Sequence, residues 1–173
     1  MKRLLTSVLI ILGLVLGMSF AGAQTAKELD GSGLDHFGKA FYKAAPRKDH
    51  GKAGAEYRLA EEAFQEAIRT QPDWVDPYLH LGRTYFVQQK YVLAAEVYRR
   101  ALTIAPQRKE IYLQLASALE MAGDYEGAIG VLKELRAQEV DARSIRILDD
   151  FIQRLAQRAE ERLQKDQGGG KQP

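Results

Sequence analysis

The sequence has no cysteine, no asparagine and only three histidines among its 173 residues. Without cysteine, the chain has no disulfide, no thiol redox chemistry and no thiolate metal site. His36, His50 and His80 lack the i, i+4 spacing that places two metal ligands on one helix face. No phosphate-binding loop and no nucleophile elbow occurs. We therefore predict no catalytic, metal-binding or cofactor-binding residue and no enzyme, with an extracytoplasmic hydrolase of unrecognised site as the alternative.

An excess of either charge is also lacking once the N-terminus is set aside. The whole chain has 25 Lys and Arg against 23 Asp and Glu, and the excess equals the two bases Lys2 and Arg3. A neutral chain has little attraction for phosphate backbones or anionic lipid. The balance therefore argues against a nucleic-acid partner, and no motif indicates a specific small molecule.

The first 23 residues have the organisation of a secretory signal peptide. Lys2 and Arg3 precede an uncharged apolar run, and the small residues Ala21 and Ala23 form an A-x-A cleavage site. We predict cleavage near Ala23 and an exported chain, periplasmic or secreted. The alternative is an uncleaved membrane anchor, because residues 4–23 carry no charge and about 20 such residues can span a bilayer.

After this segment, the sequence repeats itself at a constant interval, which Tyr57, Tyr91 and Tyr125 mark. Each unit contains two apolar patterns of helical period, separated by a short polar break such as QQK before Tyr91 or AGD before Tyr125. The pattern predicts helix-turn-helix units. The other recurring sets are Ala60, Ala94 and Ala128; Phe64, Tyr98 and Leu132; and Ala67, Ala101 and Leu135.

Gly82 lies inside the first predicted helix of one unit, where glycine costs roughly 1 kcal/mol relative to alanine. Two antiparallel helices approach closely only where small residues meet, and Ala94 and Ala101 supply the small residues of the second helix. Pro106 ends that second helix because proline lacks an amide donor and clashes with the preceding turn.

This unit resembles the tetratricopeptide repeat (TPR) family at eight positions of its pattern. The resemblance implies an all-α fold, a right-handed helical-repeat solenoid of about three TPR units plus a C-terminal capping helix. It also implies a protein that assembles other proteins. The eight matching residues are Tyr78, Leu81, Gly82, Tyr85, Ala94, Tyr98, Ala101 and Pro106.

We place the TPR domain at residues 33–140, after an N-terminal linker at residues 24–32. The second repeat covers residues 75–108, and the third covers residues 109–140. The first repeat, residues 33–72, is divergent, with an insertion that we read as a loop near residues 46–54. We match its first helix to the pattern through Leu34, Phe37, Gly38 and Phe41, and its loop residues are Pro46, Gly51 and Gly54.

A further helix is predicted at residues 141–165, followed by a flexible tail at residues 166–173. Asp141 is its predicted N-cap, and Val140 with Ile145 forms a hydrophobic staple. We interpret this helix as a cap over the last repeat. The alternative is a dimerisation helix in a self-assembling protein. Its apolar stripe is Ile145, Leu148, Phe151, Ile152, Leu155, Ala159 and Leu163.

In a stack of such units, the first helices line a concave groove, which suits an amphipathic helix or an extended peptide. Leu79 and Leu113 fit the groove and the core equally well. The family's terminal-carboxylate mode uses Lys and Asn, and the absence of Asn argues against it. The predicted groove residues are Asp35, Lys39, Tyr42, Lys43, Asp76, Leu79, Arg83, Phe86, Val87, Glu110, Leu113, Ser117, Glu120 and Met121.

We therefore predict a non-enzymatic adaptor of the cell envelope that binds a peptide or helix of another protein. A self-assembling scaffold, a homo-oligomer, is the alternative from another class. The insertion is a secondary candidate site, because it contains four basic residues that could bind an acidic ligand: Arg47, Lys48, His50 and Lys52.

Overall fold

The computed structural model describes residues 25–168, and every regular element in that range is a helix. None of these helices is long and apolar enough to cross a membrane. The predicted signal peptide and the last residues of the predicted tail lie outside the described range. The elements are α1 at residues 25–38, a π-helical turn at Lys39–Ala44, a 3-10 turn at Ala45–Arg47, α2 at His50–Thr70, α3 at Asp76–Val87, α4 at Tyr91–Ile104, α5 at Lys109–Ala122, α6 at Tyr125–Gln138 and α7 at Ala142–Gly168.

The chain forms two compact units that divide within α3, between Thr84 and Tyr85. In the first unit, Gly33 of α1 lies directly against Phe64 of α2. A Cβ atom added to Gly33 would lie 2.5 Å from the ring of Phe64, which is fully buried. Glycine at this point therefore allows the aromatic ring of α2 to pack directly on the backbone of α1.

The predicted register of the first helix is wrong except at Phe37, which is buried. Leu34 and Phe41 are exposed, and a Cβ atom on Gly38 would meet nothing within 4 Å. The buried face consists mainly of small residues and includes one acid. Apolar periodicity therefore predicts that the larger side chains beside this face are the buried ones. The buried residues are Ala26, Asp30, Gly33, Phe37, Ala40 and Ala44.

Two predicted irregular segments are largely helical. Residues 25–32, predicted as linker, belong to α1. The loop predicted near residues 46–54 is reduced to Lys48 and Asp49, because Pro46 lies at the start of the 3-10 turn and α2 already begins at His50. The Asp49 carboxylate accepts a hydrogen bond from the Lys52 amide at 3.1 Å, which caps α2. The insertion therefore lengthens helices instead of forming a loop.

In the second unit, α4 packs on α5, α5 on α6 and α6 on α7. Ile111, Leu115 and Leu132 are almost completely buried. Leu155 of α7 is also buried, and a salt bridge joins Arg136 of α6 to Asp149 of α7. The guanidinium of Arg136 lowers the pKa of the Asp149 carboxyl, chiefly through this hydrogen bond. The last helix thus covers the final repeat, as the capping interpretation requires.

The start of α7 agrees with one half of the predicted capping motif. The Asp141 carboxylate accepts a hydrogen bond from the Ser144 amide at 2.8 Å, which confirms it as the N-cap. The hydrophobic staple is wrong, because Val140 is 94% exposed and does not pack on Ile145. The helix also continues to Gly168, past the predicted end at residue 165.

Candidate functional site

The predicted groove residues of α3 in the first unit are mostly engaged within that unit. Leu79 is buried, which places it in the core and decides between its two interpretations. The guanidinium of Arg83 lies over the ring of Phe37, 5.5 Å from its centroid. The carboxylate of Asp76 accepts a hydrogen bond from the indole of Trp74 at 3.3 Å. Of these three predicted residues, Arg83 is the exposed one.

A polar contact that the sequence analysis missed joins α3 to α1. The ring nitrogen Nδ1 of His80 lies 2.8 Å from Oδ1 of Asp30, and Asp30 is buried. The His80 ring also packs against Phe64 at 5.4 Å between centroids. Asp30 and His80 are 50 residues apart, so only the correct register of α1 could have paired them.

Lys39, Tyr42 and Lys43 do not lie on a first-helix face as predicted. They belong to the π-helical turn after α1. The amine of Lys39 pairs with the Asp35 carboxylate at 2.5 Å, one turn earlier, and this hydrogen bond raises the pKa of Lys39 and lowers the pKa of Asp35. Lys39 and Lys43 line a cavity beside the start of α2. The register error in α1 accounts for this difference.

In the second unit, the last turn of α3 carries Phe86 and Val87, and both are half-buried. The Phe86 ring meets the Tyr91 ring edge to face, with 5.3 Å between centroids. Phe86 therefore contributes to the packing between α3 and α4 as well as to the surface. A substitution at Phe86 would test stability and binding together.

Helix α5 carries the clearest candidate surface. Leu113, Ser117 and Met121 are spaced by four residues and so lie on one helix face. Leu113 is 42% exposed and Met121 is 52% exposed, although both are apolar. The predicted groove residues on this helix thus include two apolar side chains that the second unit leaves open to solvent.

Two acids of α5 are held by arginines near this face. Glu120 pairs with Arg158 of α7 and is mostly buried, whereas the exposed Glu110 pairs with Arg108. Arg162 of α7 donates a hydrogen bond to the Gly123 carbonyl at 2.9 Å, just beyond α5. These contacts hold the second half of α7 against the end of α5, so the exposed face of α5 belongs to a supported helix.

The His, Asp and Glu residues of the described range include a second pair that joins two helices. Among residues 25–168, no group of three or more His, Asp or Glu side chains could hold a metal ion. Nδ1 of His36 lies 2.6 Å from the Glu56 carboxylate, so its partner is 20 residues away and not the neighbouring Asp35. This pair joins α1 to α2. Its position indicates a structural contact between helices.

Comparison with protein families gives two matches. Two models of the tetratricopeptide repeat match residues 49–109 and residues 86–148, so together they extend from α2 into α7. No curated protein matches this chain. The family models thus cover the second and third predicted repeats and the second helix of the first.

Three solved TPR domains are similar to this chain. The TPR2B domain of yeast Sti1 in complex with pHsp70 is similar with a TM-score of 0.59 and 18% identity, over 78% of this chain and 98% of that domain. The TPR domain of Arabidopsis OM64 is similar with a TM-score of 0.55 and 15% identity, over 78% and 96%. The first TPR of Spaghetti (RPAP3), bound to the HSP90 peptide SRMEEVD, has a TM-score of 0.50 and 16% identity, over 73% and 98%. At these identities the similarity concerns the fold, and it confirms the predicted all-α helical-repeat class.

Proposed function

We propose that this chain, which belongs to the tetratricopeptide repeat family, is a non-enzymatic adaptor that binds a peptide or a helix of another protein. TPR domains are protein-protein interaction modules. The similar domains of Sti1 and Spaghetti are in complex with pHsp70 and with an HSP90 peptide. The fold therefore supports binding of a polypeptide segment, and the side chains of this chain have to define the segment's chemistry.

The observation that carries the proposal is the exposed apolar face of α5. Leu113 and Met121 remain about half exposed on a first helix of the repeat, the helix whose face lines the groove in this family. Exposed apolar side chains on one face favour a partner that removes them from water, at about 25 cal/mol per Å² of apolar area. We propose that this face takes an apolar side of the partner segment.

We do not assign terminal-carboxylate recognition to this face. The sequence has no asparagine, and the Lys and Asn pattern of that mode is therefore incomplete. The acids Glu110 and Glu120 also lie on α5. The arginines near these acids, Arg108 and Arg158, are already engaged in ion pairs with them and so do not supply the missing cationic pattern.

We further propose that the chain works outside the cytoplasm, in the cell envelope. The support is the basic start, apolar run and A-x-A site of residues 1–23. An uncleaved anchor would leave the adaptor at the membrane, and cleavage near Ala23 would release it. Comparing the N-terminal residue of protein purified from the envelope with Met1 distinguishes these two forms.

The experiment is cross-linked co-purification from the envelope with a matched pair of variants. Leu113→Glu places a charge on the candidate face of α5. Leu93→Glu makes the same change on α4, a second helix, where the leucine is exposed to the same extent of 42%. We expect Leu113→Glu to lose one or a few partners and Leu93→Glu to retain them, while both keep the wild-type circular dichroism. Equal retention in both variants would show that the α5 face does not bind the partner.

Self-assembly through α7 is the second candidate. Ile147 and Leu163 are exposed on α7, so this helix has apolar side chains that the second unit does not cover. Light scattering at increasing protein concentration, with Ile147→Glu as the variant, tests this function. A wild-type mass that stays at one chain across the series would rule it out.

A further inference from the structure

A cavity of about 480 Å³ lies in the first unit, between the π-helical turn and the start of α2. Its size is within the range of roughly 300–1,000 Å³ that is typical of ligand sites. The cavity is built by the connection between the two helices of the first repeat, not by a first-helix face. The charged residues that line it are Lys39, Lys43, Arg47, Asp49, Lys52 and Glu56.

The two acids of this cavity already have partners. The Asp49 carboxylate accepts the hydrogen bond of the Lys52 amide at 3.1 Å and caps α2. The Glu56 carboxylate lies 2.6 Å from Nδ1 of His36. Neither acid is therefore the ion-pair partner of a cation in the cavity.

Three of the four cations in the cavity lining form no ion pair with a carboxylate of the described residues. Lys39 pairs with Asp35 at 2.5 Å. No carboxylate oxygen of residues 25–168 lies within 4.0 Å of a side-chain nitrogen of Lys43, Arg47 or Lys52. These three cations are exposed, and all three line the cavity. The cavity therefore combines room for a ligand with positive charges that the chain does not neutralise.

We propose that this cavity binds an acidic peptide segment, with carboxylates of the segment paired to Lys43, Arg47 and Lys52. Separate cations around a recess match separate single charges along a peptide. The inference rests on the proposed function in one respect, since it supplies the adaptor with a second contact for a protein partner. It assigns that contact to the insertion of the first repeat.

A compact phosphate fits the cavity less well. A phosphate site at a helix start relies on free amide groups, but here Asp49 already occupies the Lys52 amide. An anionic membrane surface fits less well too, because the cations line a cavity and the whole chain has a net charge of only +2.

The test is fluorescence anisotropy of the purified chain with a labelled octapeptide of four Gly-Glu repeats. The matching octapeptide of four Gly-Gln repeats is the neutral probe. We expect the acidic peptide to bind and the neutral peptide not to bind. The triple variant Lys43→Glu, Arg47→Glu and Lys52→Glu should weaken binding about tenfold or more. Replacing the same three residues by Gln should weaken it less and guards against misfolding of the charge-reversed chain.

The matched control reverses three exposed cations of the second unit, Arg99, Lys133 and Arg146, and so changes the net charge by the same amount. We expect this control to bind the acidic peptide within about twofold of the wild type. Equal losses in the two triple variants would mean that net charge alone attracts the peptide, and the proposed site would be wrong.

Two further probes decide the ligand class. Inorganic phosphate that binds in a cavity-dependent way while the peptide does not would overturn the peptide assignment. The same holds for vesicles of phosphatidylcholine and phosphatidylglycerol in equal parts. If the cavity binds no acidic peptide but Leu113→Glu still removes the envelope partners, the proposed adaptor function stands. The two hypotheses can therefore be disproved independently.

Discussion

The first and third repeats connect their two helices differently, although the same turn precedes the second helix in both. In the third repeat, Gly123 and Asp124 alone separate α5 from α6. In the first repeat, a π-helical turn and a 3-10 turn follow α1, and only Lys48 and Asp49 separate them from α2. In each repeat, a residue in the left-handed region is followed by an Asp that caps the next helix.

The hydrogen bonds of the two turns are also the same. The Lys48 and Asp49 amides donate to the carbonyls of residues 45 and 44, at 3.0 and 3.2 Å. The Gly123 and Asp124 amides donate to the carbonyls of residues 120 and 119, at 2.9 and 2.8 Å. This is the hydrogen-bond pattern of a Schellman motif. An insertion can therefore extend the helices on either side of a turn while the turn itself is kept.

The largest expected effect concerns the glycine of the first repeat. Gly33→Ala should destabilise the chain by about 1–3 kcal/mol, because its Cβ would lie 2.5 Å from the buried Phe64 ring. Gly38→Ala is the control, since its Cβ meets nothing within 4 Å. It should stabilise the helix by about 0.5–1 kcal/mol. Urea unfolding followed by circular dichroism measures both, and similar values would mean that Gly33 is not the close contact.

The next largest effect concerns the turn of the third repeat. Gly123 has a φ of 82°, where a side chain costs roughly 1–2 kcal/mol, so Gly123→Ala should lower the free energy of unfolding by about that amount. The new Cβ would also displace the Arg162 guanidinium. Gly130→Ala, inside α6 and with open space around it, should instead stabilise slightly. If Gly123→Ala unfolds at the same temperature as the wild type, glycine is not required at this position.

In the second repeat, the second helix lacks the Asp cap that the first and third repeats have, and adding one should raise stability. Lys90 is the N-cap of α4 and makes no side-chain cap hydrogen bond, whereas Asp49 and Asp124 cap α2 and α6. Lys90→Asp should stabilise the chain by about 1 kcal/mol. Asp124→Ala should destabilise it by about the same amount. Loss of stability in Lys90→Asp would indicate that the contact of Lys90 with the Tyr85 ring outweighs the cap.

The second and third repeats show how much of the fold the sequence could predict. The constant interval between matching residues locates α3 to α6, because the residues that recur on their packing faces, such as Leu81 and Leu115, are buried. Tyr78, Leu81 and Tyr98 are buried at their predicted places. An uninterrupted repeat thus transfers register from one unit to the next, and the well-matched second repeat is sufficient to place the third.

The first repeat departs from its predicted register for a physical reason. Its contact face contains Ala26, Asp30 and Gly33, which are small or charged, so hydrophobicity alone favours the exposed Leu34 beside them. Asp30 is acceptable in the interior because its carboxylate lies 2.8 Å from the His80 ring. That partner is far away in sequence. The candidate residues of α1 could not be placed until the position of α2 against it was known.

The α5 face was partly predictable. The spacing of the repeat assigned Leu113, Ser117 and Met121 to a first helix, and the structure shows that they share a face. The spacing could not show that Glu120 is held by Arg158, because α7 departs from the family pattern and its register is not repeated. The register of α7 depends on contacts such as Arg136 with Asp149.

A smaller effect tests whether glycine is needed at every turn of this kind. Gln89, which holds the position of Gly123 in the preceding repeat, has a φ of 62° and makes the same amide hydrogen bonds. Gln89→Gly should stabilise the chain by about 0.5–1 kcal/mol, since glycine removes the left-handed strain. Lys48, with a φ of 58°, gives an independent test in the first repeat. Destabilisation at both positions would show that side-chain contacts favour the native residues.

The smallest expected effect concerns the Asp141 cap at the start of α7. Hydrogen bonds from Ser144 lower the pKa of Asp141 below its ordinary value of 3.8. A lowered folded-state pKa means that Asp141 contributes stability above pH 3.8, and that this contribution is lost as pH falls through the lower pKa. Asp141→Asn keeps a capping side chain that does not titrate. Thermal unfolding of the two chains should therefore diverge below pH 3.8, and parallel curves would show that the Asp141 cap does not contribute to acid sensitivity.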